Sequence, residues 1–359
     1  MSDQFAQYVR EIGLVPLEFD IDREKPNTLS FQLASYVGFM QQVAATVKAQ
    51  NKRNEPLRMH VGVTGELNGN AFASSHHKQH YIGITFGHFL SSTYFSLQSF
   101  FMTRAFEDMG NPPGNHASRL ELCPRSGFWE ASGADEVNAF FQIQTDDKVR
   151  VAGALFLNYA MTMIALHHEY YHVLLGHCAV LHKLGLHDRL LEVGENSLPP
   201  ERREVRRAFE AEADQNAIIL LIQMILKEGD LLTGTRKFNL VSVPDKLRLM
   251  LVAAGLLTTS WFSWQSKTGY KAPSHPNPGA RFLHFYVTTK EALEALGQGH
   301  LFKEVAEKAI TDIAQISVRC SDLTHAMMAI AKGPSRTLEI VPVPEDIRPL
   351  LEEEAFTSA

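Results

Sequence analysis

The stretch Ala165–His177, ALHHEYYHVLLGH, contains the pattern His-Glu-x-x-His at His168, Glu169 and His172. Its surroundings predict a helix, on which residues four positions apart lie one turn apart on the same face. His168 and His172 can therefore direct two imidazoles at one point, as a zinc ion requires. Glu169 lies about 100° further round the helix, where its carboxylate could hold a metal-bound water. With 16 histidines in the chain, chance is the alternative explanation for so short a pattern.

The helix that carries this pattern is predicted to run from about Lys148 to Leu184, with Asp146 or Asp147 as its N-cap. It is apolar on nearly every face, which indicates a helix that is buried on all sides. Polar or charged groups inside such a helix are costly unless they are paired or bind a metal. The buried setting therefore favours a metal site over coincidence.

A second predicted helix, within the segment that opens at Glu201, supplies a candidate third ligand. Glu210 and Asp214 are four residues apart and share one face of it. Glu210 would complete a His₂Glu site with one position open for water. Asp214 could accept a hydrogen bond from the far nitrogen of a ligand histidine. Glu212 is predicted to point into solvent, and the alternative for the other two carboxylates is also a solvated helix face.

Two histidines, His177 and His182, compete for the place of the third ligand. The metzincin pattern needs a glycine three positions and a histidine six positions after His172, but Leu175 and Cys178 stand there. On a continuous helix His177 would also lie about 140° round the axis from His172. His177 is therefore interpreted as a core histidine or a neighbour of the ligands.

The two helices together resemble the gluzincin zinc metallopeptidases. The resemblance rests on His-Glu-x-x-His followed by Glu-x-Glu-Ala-Asp-x-x-Ala at residues 210–217. The doubled histidine at 167–168 and the continuation His-Val-Leu-Leu-Gly-His resemble the Lit-type phage-exclusion peptidases. The membrane-bound CAAX prenyl protease group is similar more distantly. Over roughly residues 148–285, the resemblance implies one Zn²⁺ ion on His168, His172 and Glu210, with Glu169 as general base.

The segment Ser274–Phe282, SHPNPGARF, is similar to the His-Pro…Arg segment that follows the Glu-Ala-Asp helix in those families. By this resemblance His275 is a candidate catalytic residue. Either His275 or Arg281 could border the cleft and stabilise an oxyanion. The alternative is a turn formed by His-Pro and an arginine that caps a helix.

The composition gives no electrostatic case for a nucleic-acid partner, since 34 basic and 40 acidic residues leave a net charge of −6. The apolar fraction of 45% is ordinary for a globular protein. Three scattered cysteines, Cys123, Cys178 and Cys320, fit a reducing compartment better than a disulfide framework. The first residues carry no signal-peptide pattern, so a cytoplasmic location is expected.

Two uncharged stretches, Val151–Leu166 and Leu249–Ser266, are apolar enough to be candidates for membrane spans. The first runs directly into the histidines of the motif, which must meet water. The second contains several polar residues and is interpreted as a buried core helix, with a membrane-associated segment as the alternative. A membrane partner is therefore not expected.

The N-terminal region also predicts a small antiparallel sheet, with strands at Leu57–Thr64 and His80–Phe86 and a loop over 65–79. Whichever strand lies nearest the cleft would let an extended peptide add to the sheet. Three histidines in and beside the loop are interpreted as exposed residues rather than as a second metal site: His76, His77 and His80.

The predicted fold is α+β and mostly helical, with a minigluzincin-like core, the small sheet and additional helices. We divide it into an N-terminal helical region with the sheet (1–145), a zinc catalytic core (146–290), and C-terminal helices with a solvated acidic tail (291–359). The predicted function is zinc-dependent endopeptidase cleavage of an intracellular protein substrate, in phage defence if the Lit-type resemblance extends to biology. The alternative is an inactive zinc-containing binding or regulatory module.

Overall fold

The computed structural model describes residues 3–18, 29–111, 147–185, 189–191, 200–227, 236–268, 278–319 and 342–358. Over these residues the protein is mostly helical and contains two β-sheets, which confirms the predicted α+β class. The three predicted regions stay a prediction, although their boundary after residue 290 falls inside a helix.

The helices of the described chain are α1 (Asp3–Glu11), α2 (Leu29–Thr46), α3 (Phe86–Met102), α4 (Lys148–Leu174), α5 (His177–Lys183), α6 (Pro200–Leu226), α7 (Val243–Thr268), α8 (Pro278–Ala295), α9 (Gly299–Arg319) and α10 (Arg348–Glu354). A short 3-10 helix covers Arg236–Leu240. The strands are β1 (Pro16–Leu17), β2 (Ala49–Gln50), β3 (Met59–Thr64), β4 (Ala71–His76), β5 (Gln79–Thr85), β6 (Arg189–Leu191) and β7 (Thr357–Ser358).

The main sheet is mixed, so the prediction of an antiparallel sheet is wrong. Its strand order is β1-β3-β5-β4-β6, and β3 pairs with β5 in parallel. Strand β4 lies within the segment predicted as a loop and forms a hairpin with β5. The two turn residues, His77 and Lys78, both have positive φ. Such turns usually carry asparagine or glycine, so neither the turn nor the small residues of β4 signalled a strand.

The proposed peptide-addition strands are both interior strands of this sheet. Strand β3 pairs with β1 and β5, and β5 pairs with β3 and β4. An incoming strand needs unpaired N–H and C=O groups at a sheet edge. The expectation that a peptide adds to β5 is therefore wrong, and β1 already occupies the edge of β3 at Val63 and Thr64. The edges of this sheet within the described residues are the short strands β1 and β6.

Helix α4 lies at the centre of the fold, in contact with α3, α6, α7 and β4. Every side chain from Ala152 to Tyr170 is buried, as the sequence predicted. The N-cap is Asp147, whose carboxylate accepts hydrogen bonds from the N–H groups of Val149 and Arg150. Among the described helices, α4 alone has the length and hydropathy of a membrane span. Of its most apolar stretch of 18 residues, 89% is buried inside the protein. A buried core helix passes the same test, so this is weak evidence for a membrane.

Helix α4 ends at Leu174 and not at the predicted Leu184. Gly176 adopts φ of +78°, a left-handed conformation that ends the helix, and α5 begins at the next residue. The angle predicted for His177 on a continuous helix therefore does not apply. In α7, the described side chains from Leu249 to Thr259 are all buried, as the core-helix interpretation predicted.

The acidic C-terminal end is not a solvated tail, and that prediction is wrong. Strand β7 pairs with β2, and the N–H of Phe356 donates to the carbonyl of Leu174 over 2.8 Å. Glu354 is only 7% exposed. Its carboxylate lies 3.0 Å from Arg53 and 2.6 Å from Lys183. Glutamates that look solvated in sequence are held here by cations from two distant parts of the chain.

We expect Gly176→Ala to destabilise the protein more than Gly185→Ala. Both glycines have positive φ, which costs alanine roughly 1–2 kcal/mol. A Cβ at Gly176 would also lie 2.8 Å from the backbone carbonyl carbon of Glu354, whereas nothing lies within 4 Å of one at Gly185. The clash should add about 1–3 kcal/mol to the loss in free energy of unfolding, measured with denaturant. Equal losses in free energy of unfolding for the two variants would show that the C-terminal segment moves aside from the new Cβ at no energetic cost.

Candidate metal centre

Helices α4 and α6 bring three ligand atoms of the expected kinds together. The Nε2 atoms of His168 and His172 lie 2.9 Å apart. The Glu210 carboxylate approaches them, with distances of 3.3 Å to His168 and 3.8 Å to His172. Each of the three residues is 1% exposed. This buried group could hold a metal ion, and it is the one such group among the described residues.

Small side chains let the two helices approach closely at this point. Ala213 and Ala217 on α6 are completely buried, and α4 and α6 are in extensive contact. A larger side chain on this face would separate the helix axes and move Glu210 away from the histidines. The alanines beside the carboxylates therefore help to set the ligand geometry.

The far nitrogen of His168 is held by Asp214. Oδ1 of Asp214 lies 2.8 Å from Nδ1 of His168, and the Arg281 guanidinium donates to both Asp214 oxygens over 2.6 and 2.7 Å. Burial alone would raise the pKa of Asp214, but the nearby Arg281 and His168 outweigh it and lower that pKa. An ionised Asp214 can only accept, so the proton of His168 lies on Nδ1 and the Nε2 lone pair faces Glu210 and His172.

The far nitrogen of His172 meets a different partner, His177. The two Nδ1 atoms lie 2.9 Å apart, and Nε2 of His177 lies 3.1 Å from a carboxylate oxygen of Glu212. Burial lowers the pKa of both histidines. The hydrogen bond from His177 lowers the pKa of Glu212. Neutral imidazoles beside ionised carboxylates are the protonation states that metal binding requires.

Two residues of this site were not assigned correctly from the sequence. Glu212 was predicted to be solvated, but its side chain is 39% exposed and bonded to His177. Arg206 was not singled out, although its buried Nε lies 3.7 Å from Glu210 one helical turn away. The spacing of four residues was the available signal for Arg206. Nothing local signalled Glu212, because its partner belongs to another helix.

Glu169 is 1% exposed. After burial itself, the charge of Glu169 is the main cause that raises the pKa of the Cys178 thiol. The Glu169 carboxylate therefore lies near the start of α5. A carboxylate buried this deeply is costly unless it is paired or lies near a metal ion.

The other sequence candidates have different positions. His275 lies outside the described residues, as do Cys123 and Cys320. Arg281 contacts Asp214 through Nε and Nη2. Both nitrogens therefore hold the carboxylate that contacts Nδ1 of His168. His80, predicted to be exposed, is 6% exposed and hydrogen-bonded to Ser75, because it lies on a central strand.

Comparison of the chain with protein-family models, curated proteins and solved structures finds no match. The resemblance to gluzincins therefore rests on the motif residues alone.

We expect Arg281→Met to lower the free energy of unfolding of the metal-free protein by about 3–5 kcal/mol. The variant would leave the buried Asp214 carboxylate without its guanidinium partner. Removing the exposed pair Arg10–Glu18 by Arg10→Met should cost about 1 kcal/mol or less. Denaturant unfolding in the presence of a chelator measures the free energy of unfolding of both variants. A loss for Arg281→Met as small as that for Arg10→Met would contradict a buried ion pair.

Proposed function

We propose that the protein is a zinc-dependent endopeptidase with a minigluzincin-like core, acting on an intracellular protein. The observation that carries the proposal is the convergence of two imidazole Nε2 atoms and one carboxylate, each imidazole held by a hydrogen bond at its other nitrogen. Two lone pairs 2.9 Å apart repel each other unless a cation lies between them.

The donor set favours zinc over other common metals. Imidazole nitrogen suits zinc, copper, iron and nickel, whereas calcium and magnesium prefer oxygen ligands alone. A closed structural zinc site has four protein ligands, and a catalytic site has three with a position for water. The three ligands of His168, His172 and Glu210 are those of the catalytic class.

The residues of the site have distinct roles in the proposed reaction. When bound, zinc would polarise the scissile carbonyl and lower the pKa of a water molecule. Glu169 accepts the proton of the attacking water and passes it to the leaving amine. Asp214, held by Arg281, keeps the proton of His168 on Nδ1 and directs Nε2 toward the ligand position.

Substrate access requires an opening movement in this mechanism. The three ligands and Glu169 are each 1% exposed, so an extended peptide does not reach them in the closed structure. Such movements limit the turnover of many enzymes. We expect a slow intrinsic rate that rises when a substrate or an activator stabilises the open form.

A second candidate function is a binding or regulatory module that carries an inactive metal. The near-complete burial of the ligands favours this reading, since structural sites are shielded from water. The ligand count and the presence of Glu169 oppose it.

Metal analysis and terminal-fragment proteomics separate the two functions. We expect about one zinc per chain, and new protein termini in cell extract treated with zinc-loaded protein but not with metal-stripped protein. A zinc-bearing protein that produces no new termini would favour the binding module.

The resemblance to Lit-type peptidases suggests one substrate and activation by phage infection. Extracts of infected and uninfected cells should then differ in the cleaved product. Equal cleavage in both extracts would count against a role in phage defence.

A further inference from the structure

The two proposed histidine ligands are held at their far nitrogens by different kinds of partner. His168 meets a carboxylate, Asp214, which is the common arrangement for a metal-binding histidine. His172 meets the ring of a third histidine, His177, which in turn meets Glu212. A histidine can present either a donor or an acceptor at Nδ1, so this second arrangement works only if the tautomer of His177 is controlled.

The carboxylate of Glu212 controls that tautomer. A carboxylate oxygen accepts hydrogen bonds and cannot donate, so the proton of neutral His177 lies on Nε2, 3.1 Å from Glu212. Nδ1 of His177 then offers a lone pair, and Nδ1 of His172 donates to it over 2.9 Å. With its proton on Nδ1, His172 presents a lone pair at Nε2, where His168 and Glu210 converge.

Packing holds the His177 ring in the required orientation. The ring is completely buried and stacks on Phe209, with 4.2 Å between centroids and 4° between planes. Phe209 immediately precedes Glu210 on α6, so one short stretch supplies the stacking surface, a proposed ligand and the anchor Glu212. The other side of the turn before His177 is covered by the C-terminal segment, which packs on Gly176.

We propose that His177 is a positioning residue, and that with Glu212 it fixes the tautomer and orientation of His172 for metal binding. This inference rests on the metal site of the proposed function. It assigns His177 a role that the motif alone does not require, since the residue lies outside His-Glu-x-x-His. It also explains why a buried histidine is paired with a half-exposed glutamate.

Two substitutions of His177 separate positioning from packing. His177→Phe keeps the ring volume and the stacking on Phe209 but removes the acceptor for His172. His177→Asn loses the stacking but places an amide oxygen where Nδ1 stood. If His177 serves only in packing, the phenylalanine variant should bind metal more tightly than the asparagine variant, and its metal-free form should melt at a higher temperature. A positioning role predicts that the asparagine variant binds metal more tightly, although its metal-free form melts at a lower temperature.

The measurements are Zn²⁺ affinity by chelator competition, the visible spectrum of the Co²⁺-loaded protein, and thermal unfolding of the metal-free form. We expect His177→Phe to weaken Zn²⁺ binding about 10- to 100-fold and to alter the Co²⁺ spectrum. The Zn²⁺ affinity of His177→Asn should lie between that of His177→Phe and that of wild type. Glu212→Ala, at a position that is 39% exposed, should also weaken Zn²⁺ binding, because it removes the acceptor that fixes the tautomer of His177. The control is Gln215→Ala, which changes an exposed residue on α6 and should leave the Zn²⁺ affinity at the wild-type value.

The wild-type arm distinguishes the two ways in which the inference can fail. If wild type takes up neither Zn²⁺ nor Co²⁺, the metal site of the proposed function is absent and the inference falls with it. If wild type binds metal and His177→Phe binds it equally tightly, His177 is a packing residue and only the inference is overturned.

Discussion

Glu169→Gln is expected to retain bound zinc and to lower peptide cleavage by about 10²- to 10⁴-fold, the usual contribution of a general base. Glutamine has nearly the same shape as glutamate, but its amide does not accept the proton of the attacking water. The side chain is not among the three grouped ligand residues, so the metal should stay in place. Zinc content and the rate of appearance of new protein termini measure the two effects separately.

The folding of the same variant provides a further check. Glu169 is buried, and glutamine has nearly the same size and shape, so the variant should remain folded. The matched control is Glu204→Gln on the exposed face of α6, which should leave cleavage unchanged. Full cleavage by a zinc-loaded Glu169→Gln protein would rule out the proposed mechanism.

Removal of the metal is expected to lower the free energy of unfolding by about 4 kcal/mol, compared with protein in free zinc at a thousand times its dissociation constant. The reason is that zinc binds the folded state, in which His168, His172 and Glu210 converge, and not the unfolded chain, in which they are separate. Denaturant unfolding with zinc and with a chelator measures the difference.

A ligand variant identifies the site responsible for that difference. His172→Ala should abolish most of the zinc-dependent stabilisation. The exposed His77, on the turn between β4 and β5, is the matched control, and His77→Ala should keep the stabilisation in full. If His172→Ala is stabilised by zinc as wild type is, the metal binds elsewhere.

The central helix of the fold could be predicted because its signals are local. An acidic cap at Asp146 or Asp147 and an apolar composition on nearly every face predicted a buried helix; α4 begins after Asp147 and is buried along most of its length. Its end was misplaced, because Gly176 in a helical sequence signals a break only weakly. The strand β4 was missed for the related reason that its small residues have low β-propensity and gain their order from pairing with β5.

The acidic C-terminal end shows the limit of reading charge from sequence. A run of glutamates predicts a solvated face when no partner is nearby in the chain. Here the partners are Arg53 and Lys183, far away in sequence, and they hold α10 against the turn at Gly176. Composition could not indicate that these charges meet.

Helical periodicity alone grouped the site residues that share a helix: His168 with His172, and Glu210 with Asp214. Contacts between helices brought these pairs together, and they also brought Arg281 to Asp214 and Glu212 to His177. The division has a physical cause. Spacing along one helix follows from backbone geometry. Contact between two helices depends instead on the packing of segments that are far apart in the sequence.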